Sequence, residues 1–427
     1  MAGAATSSNA SADLGDGANL DIGGTAGGYE WKAVALLSLG FGLVGLDRWI
    51  IAPLAPHILK DLSFGPDKFG LLIAVLGITW GIAAVFLGSL SDRIGRRKVL
   101  IPSLIFFSLA SGLSGLAGGF LSLLLIRGIM GVAEGAFCPT SFAAVAEASK
   151  PSRIGFNQGL QQSMFALFGL GFGPFIAAWL LTVTSWRGVF ILVTVPGLIL
   201  SVLIWLYIRD PKRTPSKAAS AQQAEEPGAS IGQVLKVHNV RISMLGLLCA
   251  MCGIFTLAAF APLYLTEYLH LDAWAAAFAA SAIGFGGFAG QWVLPTLSDI
   301  FGRRPMAILG FLGGAIFVFL FINTGASTLP LFATLFGATV CSFGLLSLIS
   351  GPIAAESAPV GMVSTAAGLI IGVGEVFGGG LALVVAGYLI ANYGIQSMLY
   401  LALAGLALGV VLMIFLKETA PRKLARM

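Results

Sequence analysis

Five ionisable side chains interrupt stretches of sequence that are otherwise apolar: Asp47, Arg48, Arg127, Glu134 and Glu375. A charge at mid-bilayer costs at least about 2.5–3.5 kcal/mol, so each must face a water-filled cavity or a partner. Two kinds of chemistry suit these residue types. An arginine stays protonated and offers a planar fork matched to a carboxylate. A buried acid whose partner comes and goes takes up and releases a proton. An anion that competes for the arginine would free the acid to accept a proton, so that anion and proton travel together. The competing reading is a permanent Arg–Glu pair that only holds helices together. Breaking such a pair costs about 3–5 kcal/mol, so loss of activity alone does not separate the two. Arg127 and Glu134 are seven positions apart, two helical turns, and share one helix face. Asp47 and Arg48 point about 100° apart, so one lines a pathway while the other reaches a neighbouring helix. Arg127 is read either as a binding group or as the partner of Glu134.

These residues need helices to hold them. Of 427 residues, 57% are hydrophobic and 10% charged, against about 25% charged in ordinary soluble domains. A soluble enzyme is excluded, and so is a porin-type barrel, whose strands would alternate rather than run continuously apolar. A spanning helix takes about 20 apolar residues and twelve take about 240. Apolar stretches begin near 33, 68, 98, 119, 156 and 188, and again near 239, 274, 305, 328, 362 and 395. The expected fold is all-α and polytopic, with twelve transmembrane helices in two six-helix bundles at 31–208 and 237–418. A polar linker spans 209–236, with cytoplasmic tails at 1–30 and 419–427. Residues 1–30 have neither a basic start nor an apolar core, and read as a disordered tail rather than a signal peptide. With the N-terminus inside, nearly all Lys and Arg outside the spans fall on the cytoplasmic side, and only Lys60, Lys68 and Arg187 fall opposite, as the positive-inside rule requires.

The two halves repeat. Leu90-Ser91-Asp92-Arg93-Ile94-Gly95-Arg96-Arg97 returns half the chain later as Leu297-Ser298-Asp299-Ile300-Phe301-Gly302-Arg303-Arg304. Related six-helix halves mark transporters with a site at the interface between repeats. The first of these loops, from Gly88, resembles the signature loop of the major facilitator superfamily. That resemblance covers about 31–418 and implies alternating access by rocking of the two bundles. It also implies gating roles for Asp92, Arg93, Arg96, Arg97, Asp299 and Arg303, where the plainer reading is that the arginines only hold topology. A narrower resemblance rests on Gly45-Leu46-Asp47-Arg48, on Arg127-Gly128 through Cys138-Pro139, on Gly173-Pro174, and on Ser185 to Phe190. Together these look like the anion:cation symporter branch, and Spinster-like lipid transporters share part of them. The likeness implies Asp47 and Glu134 as coupling carboxylates, Arg48 and Arg127 as their partners, and Gln161 or Gln162 as a fifth-helix substrate contact. Glu375 has no counterpart there and is read as a third proton-coupling acid.

Trp49, Trp80, Phe137, Gln161, Gln162, Tyr264 and Gln291 are candidates to shape a cavity, although a membrane aromatic is more often packing or an interface anchor. Among them Trp80 and Tyr264 join Arg48, Arg127 and the two glutamines as expected substrate contacts. Glu147 and Glu356 sit beside the basic loops and read as structural. Cys138, Cys249, Cys252 and Cys341 lie in apolar runs and read as packing residues. No nucleotide loop, metal cluster or nucleophile–base pair is evident, so no cofactor is expected and energy must come from an ion gradient. The expectation is an inner-membrane, proton-coupled symporter importing a small organic anion, a carboxylate, with Na+ as the other candidate ion. It is expected to act as a monomer in the lipid bilayer, without nucleic acid. The alternative is a proton-driven antiporter exporting drugs or other amphipathic solutes.

Overall fold

The computed structural model describes residues 26–150, 153–209, 231–359, 362–420 and 423, and among them no strand occurs. The expected tail at 1–30, the linker at 209–236 and the tail at 419–427 therefore lie largely outside the described residues. Twelve described helices are long and apolar enough to cross a membrane. They are α1 (Gly28–Asp61), α2 (Pro66–Ile94), α3 (Arg96–Ser114), α4 (Phe120–Ala148), α5 (Ile154–Leu181) and α6 (Trp186–Tyr207) in the first half. The second half holds α7 (His238–Tyr268), α8 (Ala273–Phe301), α9 (Arg303–Ile322), α10 (Thr328–Ser357), α11 (Thr365–Tyr393) and α12 (Ser397–Ile414).

Several of these helices are locally irregular, and the irregularities carry the site. Helix α1 breaks at Ile50, between Trp49 and Ile51, because Pro53 and Pro56 have no N–H to give the preceding turn. Wide π turns interrupt α5 at Leu167–Phe172, α7 at Tyr264–Tyr268, α10 at Ile349–Ile353 and α11 at Gly374–Leu381. Such turns recur at functional sites, and the one in α11 contains Glu375.

The repeated loops fold alike. Gly95 and Gly302 take φ of 105° and 106°, a region open to glycine and strained for other residues, and each turns the chain sharply between helices. Arg96 Nη2 lies 2.8 Å from Glu147 Oε1, and Arg303 Nη2 lies 2.8 Å from Glu356 Oε1. Arg96 and Arg303 also donate to Ser91 and Ser298, both at 2.5 Å, and Arg303 meets Asp299 at 2.6 Å. Arg97 and Arg304 donate to the carbonyls of Trp205 and Ile414 at 2.5 and 2.7 Å. Each of these contacts of the expected gating residues Arg96, Arg97, Asp299 and Arg303 is made inside one half. The side chains of Asp92 and Arg93 lie outside the described residues. On the opposite face, Arg187 stacks on Trp186 and pairs with Asp61 at the end of α1.

Helix pairs α5–α8, α2–α11 and α1–α7 are among those that join the halves. Helix α8 meets α5 so closely that a Cβ on Gly284 would collide with the backbone of Leu170 and Gly171. Helix α2 meets α11 at Gly70, Gly77 and Gly81, against Leu383, Gly379 and Glu375. That contact runs from the end opposite the basic loops to the level of Glu375. Gly368 and Gly372 precede Glu375 by seven and three residues and so share its helix face, yet a Cβ on either would meet nothing within 4 Å. Along this seam the halves are packed on the far side and leave Gly368 and Gly372 uncovered towards the basic side, where α5 and α8 still meet through Phe156 and Trp292, ring centroids 5.4 Å apart.

Candidate functional site

Four of the five intramembrane charges, Asp47, Arg48, Arg127 and Glu134, come from the first half, and the fifth closes the site from the second. The Arg48 guanidinium meets Glu375 at 3.2 Å, with the two side chains 1% and 7% exposed. Glycines make this possible: a Cβ on Gly77 would press on Arg48 Nη2, and one on Gly379 would press on Glu375 Oε2. Four rings surround the same guanidinium. Trp49, Trp80, Phe165 and Phe255 have centroids at 5.6, 6.0, 5.9 and 5.2 Å from its central carbon, within cation–π range. Three rings belong to the first half and Phe255 to the second, where it packs edge-on to Trp49 at 5.3 Å.

Arg127 differs from its expected role. Its terminal nitrogens donate to the carbonyls of Asp47 at 3.1 Å and Arg48 at 2.6 Å. A fully buried guanidinium from α4 thus grips the backbone of α1 just before its break at Ile50. Arg127 is therefore a clamp on the α1 backbone and not a direct partner of Glu134. Arg48 in turn pairs with Glu375 rather than with Asp47 or Glu134. Glu134 is completely buried, and neither of its oxygens has a hydrogen-bond partner, although Arg48, Arg127, Asp47 and Glu375 are all within electrostatic reach. Asp47 is buried beside Ser111 of α3, turned away from Arg48 as adjacent helical positions require.

The remaining candidates are dispersed. Trp80 is half-buried at the cluster, its indole N–H donating to Cys138 Sγ at 3.3 Å, one turn beyond Glu134. Gln161 is buried a turn before Phe165 and donates to Ser141 at 2.9 Å, while Gln162 beside it is half-buried. Tyr264 is not brought to Arg48. It lies about 13 Å further along α7 than Phe255, stacked on Tyr268 at 5.1 Å and against Phe321 at 5.7 Å. Phe165, Phe255 and Ser111 were not singled out by sequence, because nothing marks two phenylalanines among 30.

A buried arginine that joins two helical halves, next to an acid without a partner, can exchange one carboxylate for another and move a proton as it does so. The comparisons agree with a carrier. The model of the Major Facilitator Superfamily matches residues 37–372 and, overlapping, 244–426. A probable 4-methylmuconolactone transporter of Cupriavidus pinatubonensis is 27% identical over 368 residues, covering 84% of this chain and 83% of its own. The hexuronate transporter of Bacillus subtilis is 33% identical over 187 residues, 44% of each chain. Among solved structures, a bacterial homolog of the human lysosomal transporter Spinster, inward-facing and unoccupied, superposes with a TM-score of 0.69 at 17% identity. That match covers 91% of this chain and 95% of the other, and it shows the fold. With its paired six-helix halves, repeated basic loops and buried charges, the chain belongs to the Major Facilitator Superfamily of membrane transporters and is not an enzyme.

Proposed function

We propose that this transporter imports a small organic carboxylate together with a proton, and that Arg48 is the anion site. The observation that carries this reading is the Arg48–Glu375 pair across the two halves. A carboxylate that takes the Arg48 fork displaces Glu375. A buried carboxylate left without its partner is strongly destabilising, by about 3–5 kcal/mol for a broken pair, so Glu375 takes up a proton as it lets go. One anion and one proton then enter together, and the charge of the cluster is unchanged. Release reverses the step: the anion leaves, Glu375 returns to Arg48, and its proton departs through the opening beside Gly372 and Gly368.

Glu134 supplies the other half of the cycle. It sits in the same bundle as Arg48, whereas Glu375 moves with the opposite bundle. When the empty halves rock, Glu134 passes its proton to Glu375 and takes its place at Arg48, so the carrier never strands its guanidinium. An anion arriving from the far side then displaces Glu134, which takes up the entering proton, and Glu375 gives up its own on the basic side. In the present state Glu134 has no partner and holds a proton, because a lone buried charge would be costly. The basic side is the cytoplasmic side of the inner membrane in this reading.

A proton-driven exporter of organic cations is the second reading, favoured by the unpartnered Glu134 carboxyl, which could take a cation in place of a proton. A thermal-shift panel on purified protein against benzoate, glucuronate, succinate and ethidium separates the two. The best ligand is then followed into proteoliposomes with an alkaline interior. Arg48-dependent stabilisation by a carboxylate, and its accumulation, are expected. Stabilisation by ethidium alone, with its extrusion, would overturn the symport reading.

A further inference from the structure

Resting on the anion reading of Arg48, we infer that the substrate is an aromatic monocarboxylate, recognised by the ring cage around that guanidinium. The argument has three parts. Among the described residues of the cluster, Arg48 is the arginine whose guanidinium meets a side-chain carboxylate. Arg127 has both terminal nitrogens on the backbone carbonyls of Asp47 and Arg48, so a second carboxylate on the same molecule would find no free fork. The walls are flat and apolar: Trp49, Trp80, Phe165 and Phe255 stand 5.2 to 6.0 Å from the Arg48 centre. A planar ring whose carboxylate lies on Arg48 would replace ring–cation contacts by ring–ring contacts, in the offset or edge-on arrangements that aromatic pairs favour. Hydroxyl groups, by contrast, would find no partner on the ring faces. The Trp80 indole N–H is engaged by Cys138 and the Gln161 amide N–H by Ser141, and a polar group buried without a partner is penalised. Near the cluster the buried polar atoms without a partner include Trp49 Nε1, the Nε of Arg48 and of Arg127, and the Glu134 carboxyl oxygens, enough for a second carboxylate oxygen and a ring substituent. A sugar acid, with a hydroxyl on nearly every carbon, does not match such walls.

The site is built from both halves, since Phe255 comes from α7 and the other three rings from α1, α2 and α5. An aromatic ligand would therefore bridge the bundles where the Arg48–Glu375 pair bridges them in its absence, and selectivity would depend on Phe255 as much as on the arginine.

Equilibrium dialysis of the purified full-length protein with labelled benzoate, competed by cyclohexanecarboxylate, glucuronate and succinate, tests this. Cyclohexanecarboxylate has the same charge and nearly the same size but no flat face. Benzoate is expected to bind about tenfold more tightly than cyclohexanecarboxylate, with glucuronate and succinate weaker still. Phe255→Leu, which keeps apolar bulk, is expected to bring the benzoate and cyclohexanecarboxylate constants within about twofold of each other. Should that variant fail to fold, Phe165→Leu makes the same test from the first half. Equal or tighter binding of cyclohexanecarboxylate or glucuronate by the unaltered protein would overturn the aromatic assignment and leave Arg48 as an anion site. Failure of every carboxylate to bind in an Arg48-dependent way would overturn both.

Discussion

Arg48 and Glu375 are 327 positions apart in the chain and 3.2 Å apart in space, one in each half of the transporter. It crosses between the bundles, whereas Arg96–Glu147, Arg153–Glu30, Arg187–Asp61, Arg303–Asp299 and Arg303–Glu356 each lie within a single half. The pair competes with any anion for the arginine, and the competition has opposite consequences for its two members. Glu375→Gln removes the competitor and is expected to tighten binding of the best carboxylate at least threefold while uphill accumulation is lost. Arg48→Lys keeps the charge but loses the bidentate fork, and is expected to weaken binding about tenfold with normal folding. Dialysis constants on the two purified variants check both. Weaker binding in Glu375→Gln would mean that the acid helps to hold the ligand.

Glu134→Gln should separate exchange from accumulation. With no acid in its own half to meet Arg48, the empty carrier is expected to reorient poorly. Counterflow of preloaded ligand, which needs only the loaded carrier, is expected to continue. Unchanged proton-driven accumulation in this variant would remove Glu134 from the cycle.

Arg127 is expected to act on stability more than on affinity. Arg127→Met removes two buried hydrogen bonds from a charged donor, at about 1.5–3 kcal/mol each, and should lower the thermal midpoint by several degrees. Arg127→Lys should recover part of the loss. A normal midpoint in Arg127→Met, with binding abolished, would instead make this arginine a ligand-binding group.

Much of this site is legible in the sequence because a charge inside an apolar run is a rare signal. Asp47, Arg48, Arg127, Glu134 and Glu375 announce themselves, as do the twelve spans and the doubled loop. Their partners are not legible. The separation of 327 positions between Arg48 and Glu375 is settled by how the halves pack, which local pattern does not encode. The role of Arg127 depends on backbone carbonyls, which every residue carries and which no residue type marks. The cage is hidden for a different reason. Phenylalanine is abundant in membrane helices, and only the geometry distinguishes Phe165 and Phe255 from the lipid-facing rings. Tyr264, singled out for its polar tip, satisfies its ring in a stack with Tyr268 away from the charges.

The two basic-loop pairs look equivalent but differ in exposure. Arg96 and Glu147 are 13% and 36% exposed at their side chains, Arg303 and Glu356 7% and 19%. Exposed pairs contribute about 0–1 kcal/mol. Glu147→Gln is therefore expected to shift the thermal midpoint by no more than a degree or two. Glu356 also accepts a hydrogen bond from Thr419 at 2.7 Å, and Glu356→Gln should shift the midpoint more. The reverse order would show that the first loop carries the greater load.

The opening towards the basic side has its own check. Gly368→Cys places a thiol on the face of Glu375 where no neighbour stands, and it is expected to react with a membrane-impermeant maleimide applied from the basic side. Cys138, Cys249 and Cys252 are buried and Cys341 is half-buried, so Cys341→Ser is combined with Gly368→Cys to keep the background low. Bound carboxylate is expected to slow the labelling. Labelling only from the opposite side would place the passage elsewhere.

The most direct test is the number of protons taken up for each anion bound. Calorimetric titration of the purified protein with benzoate, or with whichever acid binds best, in two buffers of different ionisation enthalpy gives that number. About one proton for each anion is expected for the unaltered protein and close to zero for Glu375→Gln, whose amide cannot accept one. Binding with no proton uptake in the unaltered protein, or the same uptake in both, would contradict an exchange of anion for Glu375 at Arg48.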